Sequence, residues 1–289
     1  MTDPMDSLLN VINLTDTGAR TSEDIFTGES HWTIQGRIFG GQVLAQAIIA
    51  ATRTVETDRL IHSMHGYFLR PGDTKIPITF SVDRIHDGRS FSTRRTQAYQ
   101  QGVPIFSLIA SFQLEADGLE HQIEMPQGMT DPEDLPALAD ALDLEKTDNA
   151  RKWADSRPID VRYVSSPLFL EVKGPKVARQ AVWFRSKKAL PDDEGIHRAI
   201  LAYASDFAIM EPVLRRHGVT WTTPGSRFAS LDHAMWWHRP VRADEWLLYT
   251  QESPSASGGR GLSNGHIFTR NGDLVATVAQ EAMIRLPQG

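Results

Sequence analysis

Apolar residues along this chain follow two rhythms, and the order of the rhythms repeats. Gly41 to Val55 (GQVLAQAIIAATRTV) sets Val43, Ala47, Ala50 and Ala51 at helical spacing, which predicts a helix. A strand-like run follows at Ile78 to Val82, then a turn signal at Gln101-Gly102 and a last apolar strand from Ile105 to Leu114. The later chain runs the same course. Ser205 to Gly218 (SDFAIMEPVLRRHG) reads as the counterpart helix region, with Ser205 as N-cap and Gly218 as the stop. Pro212 is tolerated only in a first turn, so regular helix is expected from about Glu211, with Asp206 on the approach. A strand at Trp246 to Thr250, a turn at Asn271-Gly272 and a final strand from Leu274 to Leu286 complete the repeat.

Each half also carries an aromatic-rich approach to Arg-Pro with an acidic residue just after it. These segments are HSMHGYFLRPGD (His62 to Asp73) and SLDHAMWWHRPVRAD (Ser230 to Asp244). A helix that buries its apolar face against a curved antiparallel sheet gives an α+β half. Two such halves can pair their sheets edge to edge, which removes two exposed edges at once. The expected division is an N-terminal half over 1–115, a linker over 116–157 and a C-terminal half over 158–289 that carries the active site. The linker is acidic and proline-rich, with some helix expected around Ala137 to Trp153. A period this long indicates a duplicated domain.

Composition narrows the chemistry. With 289 residues, 40% of them apolar, the chain can build a sizeable core. Thirty Lys and Arg against thirty-six Asp and Glu leave a net charge of −6, which argues against a nucleic-acid partner. There are no cysteines, so disulfides, thiolate metal sites and thiol nucleophiles are excluded. The N-terminus, with Asp3 and Asp6, does not read as a signal peptide. No run is long and apolar enough for a bilayer span, and Leu286-Pro-Gln-Gly289 is not a peroxisomal address. The expectation is a cytoplasmic protein with no membrane partner.

Five motifs in order, GRIFGGQVLAQA (Gly36 to Ala47), HSMHGYFLRPGD, DGRSFSTRR (Asp87 to Arg95), SLDHAMWWHRP and VAQEAMIR (Val278 to Arg285), resemble the acyl-CoA thioesterase II family. The resemblance covers nearly the whole chain outside the linker. It implies a double hotdog fold, in which each half wraps a long helix in a curved antiparallel sheet. It implies hydrolysis of fatty acyl-CoA to free fatty acid and CoA by an activated water, with no covalent intermediate, no cofactor and no metal. Acyl-CoA is then the substrate, and a homo-oligomer (dimer or tetramer) is expected. The family holds its water with an Asp at the start of the second helix, a Thr or Ser, and a Gln. These map onto Asp206, Ser230 and Gln280; Thr is the usual occupant at the second position.

The residues themselves allow two readings each. Gln280 interrupts an otherwise apolar face formed by Leu274, Ala276, Val278, Ala282 and Ile284, as a structural amide or as one that fixes a reactant. Asp206 is either a dipole-stabilising carboxylate at a helix start or a proton acceptor beside backbone donors. Ser230 stands out only by its spacing to the motif. The duplication provides an internal control. Ser230 lies nine residues before Arg239, and nine before Arg70 is Ile61. Gln280 lies eight after Gly272, and eight after Gly102 is Ala110. The first helix region, Gly36 to Ala50, holds no acidic residue. This asymmetry favours one reacting centre, built by the second half.

Other chemistries are weaker. His62, His65, His233 and His238 lack the carboxylate spacing of a zinc site and read as histidines bonded within the sheet, any of which could still assist as an acid or base. No GxSxG elbow appears. Arg94-Arg95 and Arg185 to Lys188 read as charged edges before they read as phosphate contacts. Ser257 to Gly265 reads as a hairpin connection. Two alternatives remain: a hotdog enoyl-CoA hydratase, which wants a His a few residues from its Asp, and a non-catalytic acyl-CoA-binding protein.

Overall fold

The computed structural model describes residues 3–20, 22–31, 33, 36–141, 156–168 and 171–287. Helix α1 (Pro4–Ile12) and strands β1 (Thr15–Arg20) and β2 (Asp24–Gly28) precede the long helix α2 (Gly40–Thr52). Strands β3 (Arg59–Phe68), β4 (Ile78–Asp87), β5 (Phe91–Gln100) and β6 (Val103–Leu114) follow. A single helical turn, α3 (Leu138–Ala141), lies in the linker, and the rest of the helix expected up to Trp153 lies outside the described residues. The second half holds β7 (Ile159–Tyr163), β8 (Arg179–Ser186), α4 (Glu194–Ser205), α5 (Glu211–His217), β9 (Arg227–Ser230), β10 (Asp232–Trp237), β11 (Leu247–Ser257), β12 (Arg260–Thr269) and β13 (Leu274–Arg285).

All the strands join one 13-stranded sheet in the order β1-β2-β4-β5-β6-β3-β10-β13-β12-β11-β8-β7, with β9 against β13. The succession β2-β4-β5-β6-β3 in the first half is matched by β8-β11-β12-β13-β10 in the second. The two meet at the antiparallel pair β3–β10, with Met64 opposite Met235. The pairing of sheets edge to edge is therefore real, and it leaves neither half with an open inner edge. The fold is α+β, and its main core draws buried residues from α1, α2, α4 and strands of both halves.

The helix assignments need one correction. The partner of α2 is α4, not the Ser205–Gly218 region. Ser205 is the last residue of α4 rather than an N-cap. A separate short helix, α5, does begin at Glu211 and does end on Gly218, in the left-handed conformation at φ 69°. Helix α4 escapes a periodicity search because almost every residue from Gly195 to Ser205 is buried, His197 and Arg198 included. A helix covered on all sides shows no apolar stripe.

The two long helices run antiparallel, start against end. A Cβ on Gly41 in the first turn of α2 would lie 2.3 Å from the Tyr203 carbonyl oxygen in the last turn of α4. At the other end, one on Gly195 would lie 3.7 Å from Thr52 Cγ2. Other expectations resolve locally. Only Gly258-Gly259 turns between β11 and β12; the rest of Ser257 to Gly265 is strand, and Gly265 lies against the Tyr249 ring. The acidic linker packs on the second half: Trp183 Nε1 donates to the Thr130 carbonyl at 2.9 Å and Trp246 Nε1 to Glu133 at 2.8 Å.

Gly41→Ala tests the helix junction. Overpacking of this kind costs about 1–3 kcal/mol, so the urea midpoint is expected to fall; an unchanged midpoint would show that the helices tolerate a wider spacing.

Candidate active site

Asp206 caps the C-terminal end of α4. Its carboxylate faces the start of α2, where the Gly41 backbone N–H donates to Oδ2 at 2.9 Å. Glycine is needed on both sides of this contact. A Cβ on Gly40 would come 2.8 Å from Asp206 Oδ2 and 3.0 Å from the Phe68 ring. The helix start expected beside Asp206 is present, but it belongs to α2. Asp206 itself sits at the end of its own helix, where the dipole disfavours a negative charge, and against the start of the other, where it is favoured. Asp206 thus lies between elements of both halves, where the sequence pointed to residues of the second half alone.

Ser230 ends β9, where it lies opposite Ala282 of β13, one inward-facing position from Gln280. Gln280 Nε2 donates to Ser230 Oγ at 2.8 Å, and the Gln280 amide lies close enough to Asp206 to favour its charged form. The carboxylate, hydroxyl and amide therefore meet, with Gln280 between the other two. Behind Gln280, His233 Nδ1 lies 2.5 Å from Gln280 Oε1, and His233 Nε2 lies 2.9 Å from Ser205 Oγ. Tyr249 donates to the Ser205 carbonyl at 3.1 Å and steadies the last turn of α4.

The backbone beyond Asp206 is strained and held. Ala208 has φ 64°, a left-handed conformation that costs a non-glycine residue about 1–3 kcal/mol. Gln180 donates to the Ala208 carbonyl at 3.2 Å and Gln251 to that of Phe207 at 3.4 Å. Phe207 in turn stacks on Phe39, the residue before α2, at 4.6 Å between ring centroids.

The electrostatics follow from burial. Asp206 is pushed up to about 7, chiefly by loss of water around the carboxylate. The Gly41 N–H, the Gln280 amide and the nearby Arg157 guanidinium each oppose that rise. Arg157 lies 4.0 Å above the Phe207 ring centroid and remains cationic, although burial lowers it to about 10. Burial also lowers His233 to about 4, so its ring is neutral at pH 7.

Sequence reasoning missed Arg157, which falls in the segment read as linker and carries no local signal. It also gave no role to Gly41, though the Gly40-Gly41 doublet ahead of an alanine-rich helix marks close backbone contact. His62 bonds Ser111 Oγ at 2.9 Å, His238 bonds Thr277 Oγ1 at 2.9 Å, and His65 packs edge-on to Trp236. Arg94 is fully buried and bonds Thr54 and Asp87, so it is no charged edge. Arg95 pairs with Asp83, Arg185 stacks on Trp246, and Lys188 pairs with Asp6.

Comparison with known proteins agrees with this architecture. The family described as acyl-CoA thioesterase matches residues 153–283, and its N-terminal domain matches residues 29–113. The chain is 39% identical to acyl-coenzyme A thioesterase 8 of Mus musculus, over 91% of this chain and 85% of that protein. It is 37% identical to acyl-CoA thioesterase 2 of Haemophilus influenzae, over the whole of both chains. Among solved structures, the acyl-CoA thioesterase II of Mycobacterium marinum superposes with a TM-score of 0.79 at 41% identity, covering 98% of this chain and 99% of that one. The duplicated sheet, the paired helices and these matches together make the chain a double hotdog protein of the acyl-CoA thioesterase II family.

Proposed function

We propose that the protein hydrolyses fatty acyl-CoA to free fatty acid and CoA, with Asp206 as general base and Ser230 and Gln280 as partners of the reacting groups. The observation that carries this reading is the meeting of Asp206, Gln280 and Ser230, with Gln280 bonded to Ser230 and its amide beside Asp206, drawn from three separate parts of the chain. A carboxylate whose pKa lies near 7 combines a useful ionised fraction with enough basicity to accept a proton from water. The water oxygen bonds to the thioester carbonyl carbon as its proton passes to Asp206. The Ser230 hydroxyl, whose oxygen accepts one Gln280 N–H, keeps its own proton to donate to the negative charge that develops on the carbonyl oxygen. The C–S bond then breaks, and Asp206 can return the proton to the departing sulfur. A thiolate leaves readily, since thiol pKa values lie near about 8.5. No covalent nucleophile is needed.

An enoyl-CoA hydratase finds less support, because Phe207 to Glu211 provides no histidine beside Asp206. The reading includes the division into halves over 1–115 and 158–289 with the linker over 116–157. No helix among the described residues is long and apolar enough to cross a membrane. A cytoplasmic location belongs to the proposal, as does assembly as a dimer or tetramer, for which a monomer in sedimentation velocity would be the contrary result.

Purified protein mixed with palmitoyl-CoA and a thiol reagent should release free thiol. Asp206→Asn should lower turnover by about 100-fold or more while the fold is kept; full turnover in that variant would remove Asp206 from the mechanism, and binding without thiol release would favour a non-catalytic acyl-CoA carrier.

The raised pKa also predicts a stability signature. A carboxyl with a higher pKa folded than unfolded holds its proton more tightly in the fold. As pH rises from about 4 to about 7, the unfolded chain loses that proton first, and native stability falls. Asp206→Asn removes this loss. Its melting temperature should exceed wild type at pH 8 by more than at pH 4; equal differences at both pH values would show that Asp206 titrates normally.

Ser230→Thr should keep most of the turnover and Ser230→Ala should lose about 10-fold or more, since only the first retains a hydroxyl. Equal rates in the two variants would make Ser230 a bystander.

A further inference from the structure

The Gln280 carboxamide has two ends of similar size and opposite polarity, and only one orientation serves the reading above, on which this inference rests. An ionised Asp206 offers no proton, so the end of Gln280 that meets it must be the NH2. The same NH2 donates to Ser230 Oγ at 2.8 Å. Oε1 therefore faces the other way, where it meets His233 Nδ1 at 2.5 Å. An amide oxygen only accepts, so Nδ1 carries the proton. His233 is fully buried, and with a neutral ring its Nε2 is an acceptor facing Ser205 Oγ at 2.9 Å. The Ser205 hydroxyl then supplies that proton, in competition with the Ala202 carbonyl at 2.9 Å. Once Asp206 is ionised, the carboxamide and the imidazole each have one permitted orientation.

The first half shows that the sheet does not itself require this. His233 lies six residues before Arg239, and six before Arg70 is Met64. Strand register agrees. Met64 stands opposite Ala110 in β3–β6, and Ala234 stands opposite Ala279 in β10–β13, which brings His233 level with Gln280. The pair His233 and Gln280 thus occupies the place of Met64 and Ala110, both fully buried and apolar. A buried imidazole and a buried amide appear together in the half that carries the reacting groups and are absent together from the other.

We propose that His233 is a positioning residue: by donating from Nδ1 to Gln280 Oε1 it keeps the carboxamide from turning over, so that Gln280 presents its NH2 to Asp206 and to Ser230, whose hydroxyl is then free to donate to the reacting thioester. Ser205 fixes the tautomer that makes this donation. Without His233 the amide can rotate, which sets a carbonyl oxygen against the Asp206 carboxylate and takes the N–H donor away from Ser230 Oγ. His233 has no exposed surface and takes no part in proton transfer to substrate.

The test is a double-mutant cycle on palmitoyl-CoA hydrolysis with His233→Met and Gln280→Ala, each of which installs the residue of the other half. His233→Met should lower kcat by about 10- to 100-fold with KM changed by less than about twofold. In the Gln280→Ala background it should cost nothing further. His233→Asn, whose NH2 can take the place of Nδ1–H, should recover most of kcat. Wild-type kcat in His233→Met, or losses that multiply in the double variant, would overturn the assignment. Full activity in Gln280→Ala would instead overturn the role proposed for Gln280 itself. If His233→Met lacks a cooperative melt, His233→Asn and Ser205→Ala decide. Near-wild-type kcat in the first with a severalfold loss in the second supports the assignment, and the reverse order overturns it.

Discussion

A carboxylate withdrawn from water survives as an anion only where donors and positive charge meet it. The arrangement around Asp206 is organised by that requirement. These donors and this charge come from places that only this fold joins: the Gly41 N–H at the start of the first long helix, the Gln280 amide in the last strand and the cationic Arg157 in the chain leading into β7. Partial compensation leaves the group near 7 rather than near its ordinary value, which is where a general base works best. The strained Ala208 backbone and the amide clamps from Gln180 and Gln251 hold the loop just beyond it.

The two halves place different residues at equivalent positions of the same frame. In the first half, Ile61 stands opposite Phe112 on the strand pair β3–β6; in the second, Ser230 stands opposite Ala282 on β9–β13. Ala110 is replaced by Gln280, and its neighbour across the sheet changes from Arg94 to Ser263. Arg94 fills its buried site completely and is locked by Thr54, His86 and Asp87. Ser263 is small and buried, with a hydroxyl that meets no protein partner among the described residues. The first half nevertheless contributes what a duplicated helix can offer, a free backbone N–H at the helix start and two glycines that permit close approach. Elements of both halves therefore surround Asp206.

Much of the fold could be read from sequence because its signals were local. The turns at Gln101-Gly102 and Asn271-Gly272, the final strands and the repeated Arg-Pro segments depend on neighbours in the chain. Asp206, Ser230 and Gln280 stood out through the resemblance and through their apolar counterparts in the first half. What was not legible depended on burial from several sides. Helix α4 carries His197 and Arg198 on buried positions, so its pattern resembled neither a stripe nor an alternation. Asp206 was consequently placed at the wrong end of a helix. The Arg157 contact could not be anticipated, since a long side chain reaching over Phe207 leaves no periodic trace.

The central claim is that packing against α2, rather than membership of a motif, gives Asp206 its working basicity. Carbonyl carbon NMR of protein labelled at aspartate measures this directly, with the Asp206 resonance assigned by its absence in Asp206→Asn. The account predicts an Asp206 side-chain carboxyl that titrates with a midpoint near 7. A midpoint at about 4, the value of a solvated aspartate, would contradict it.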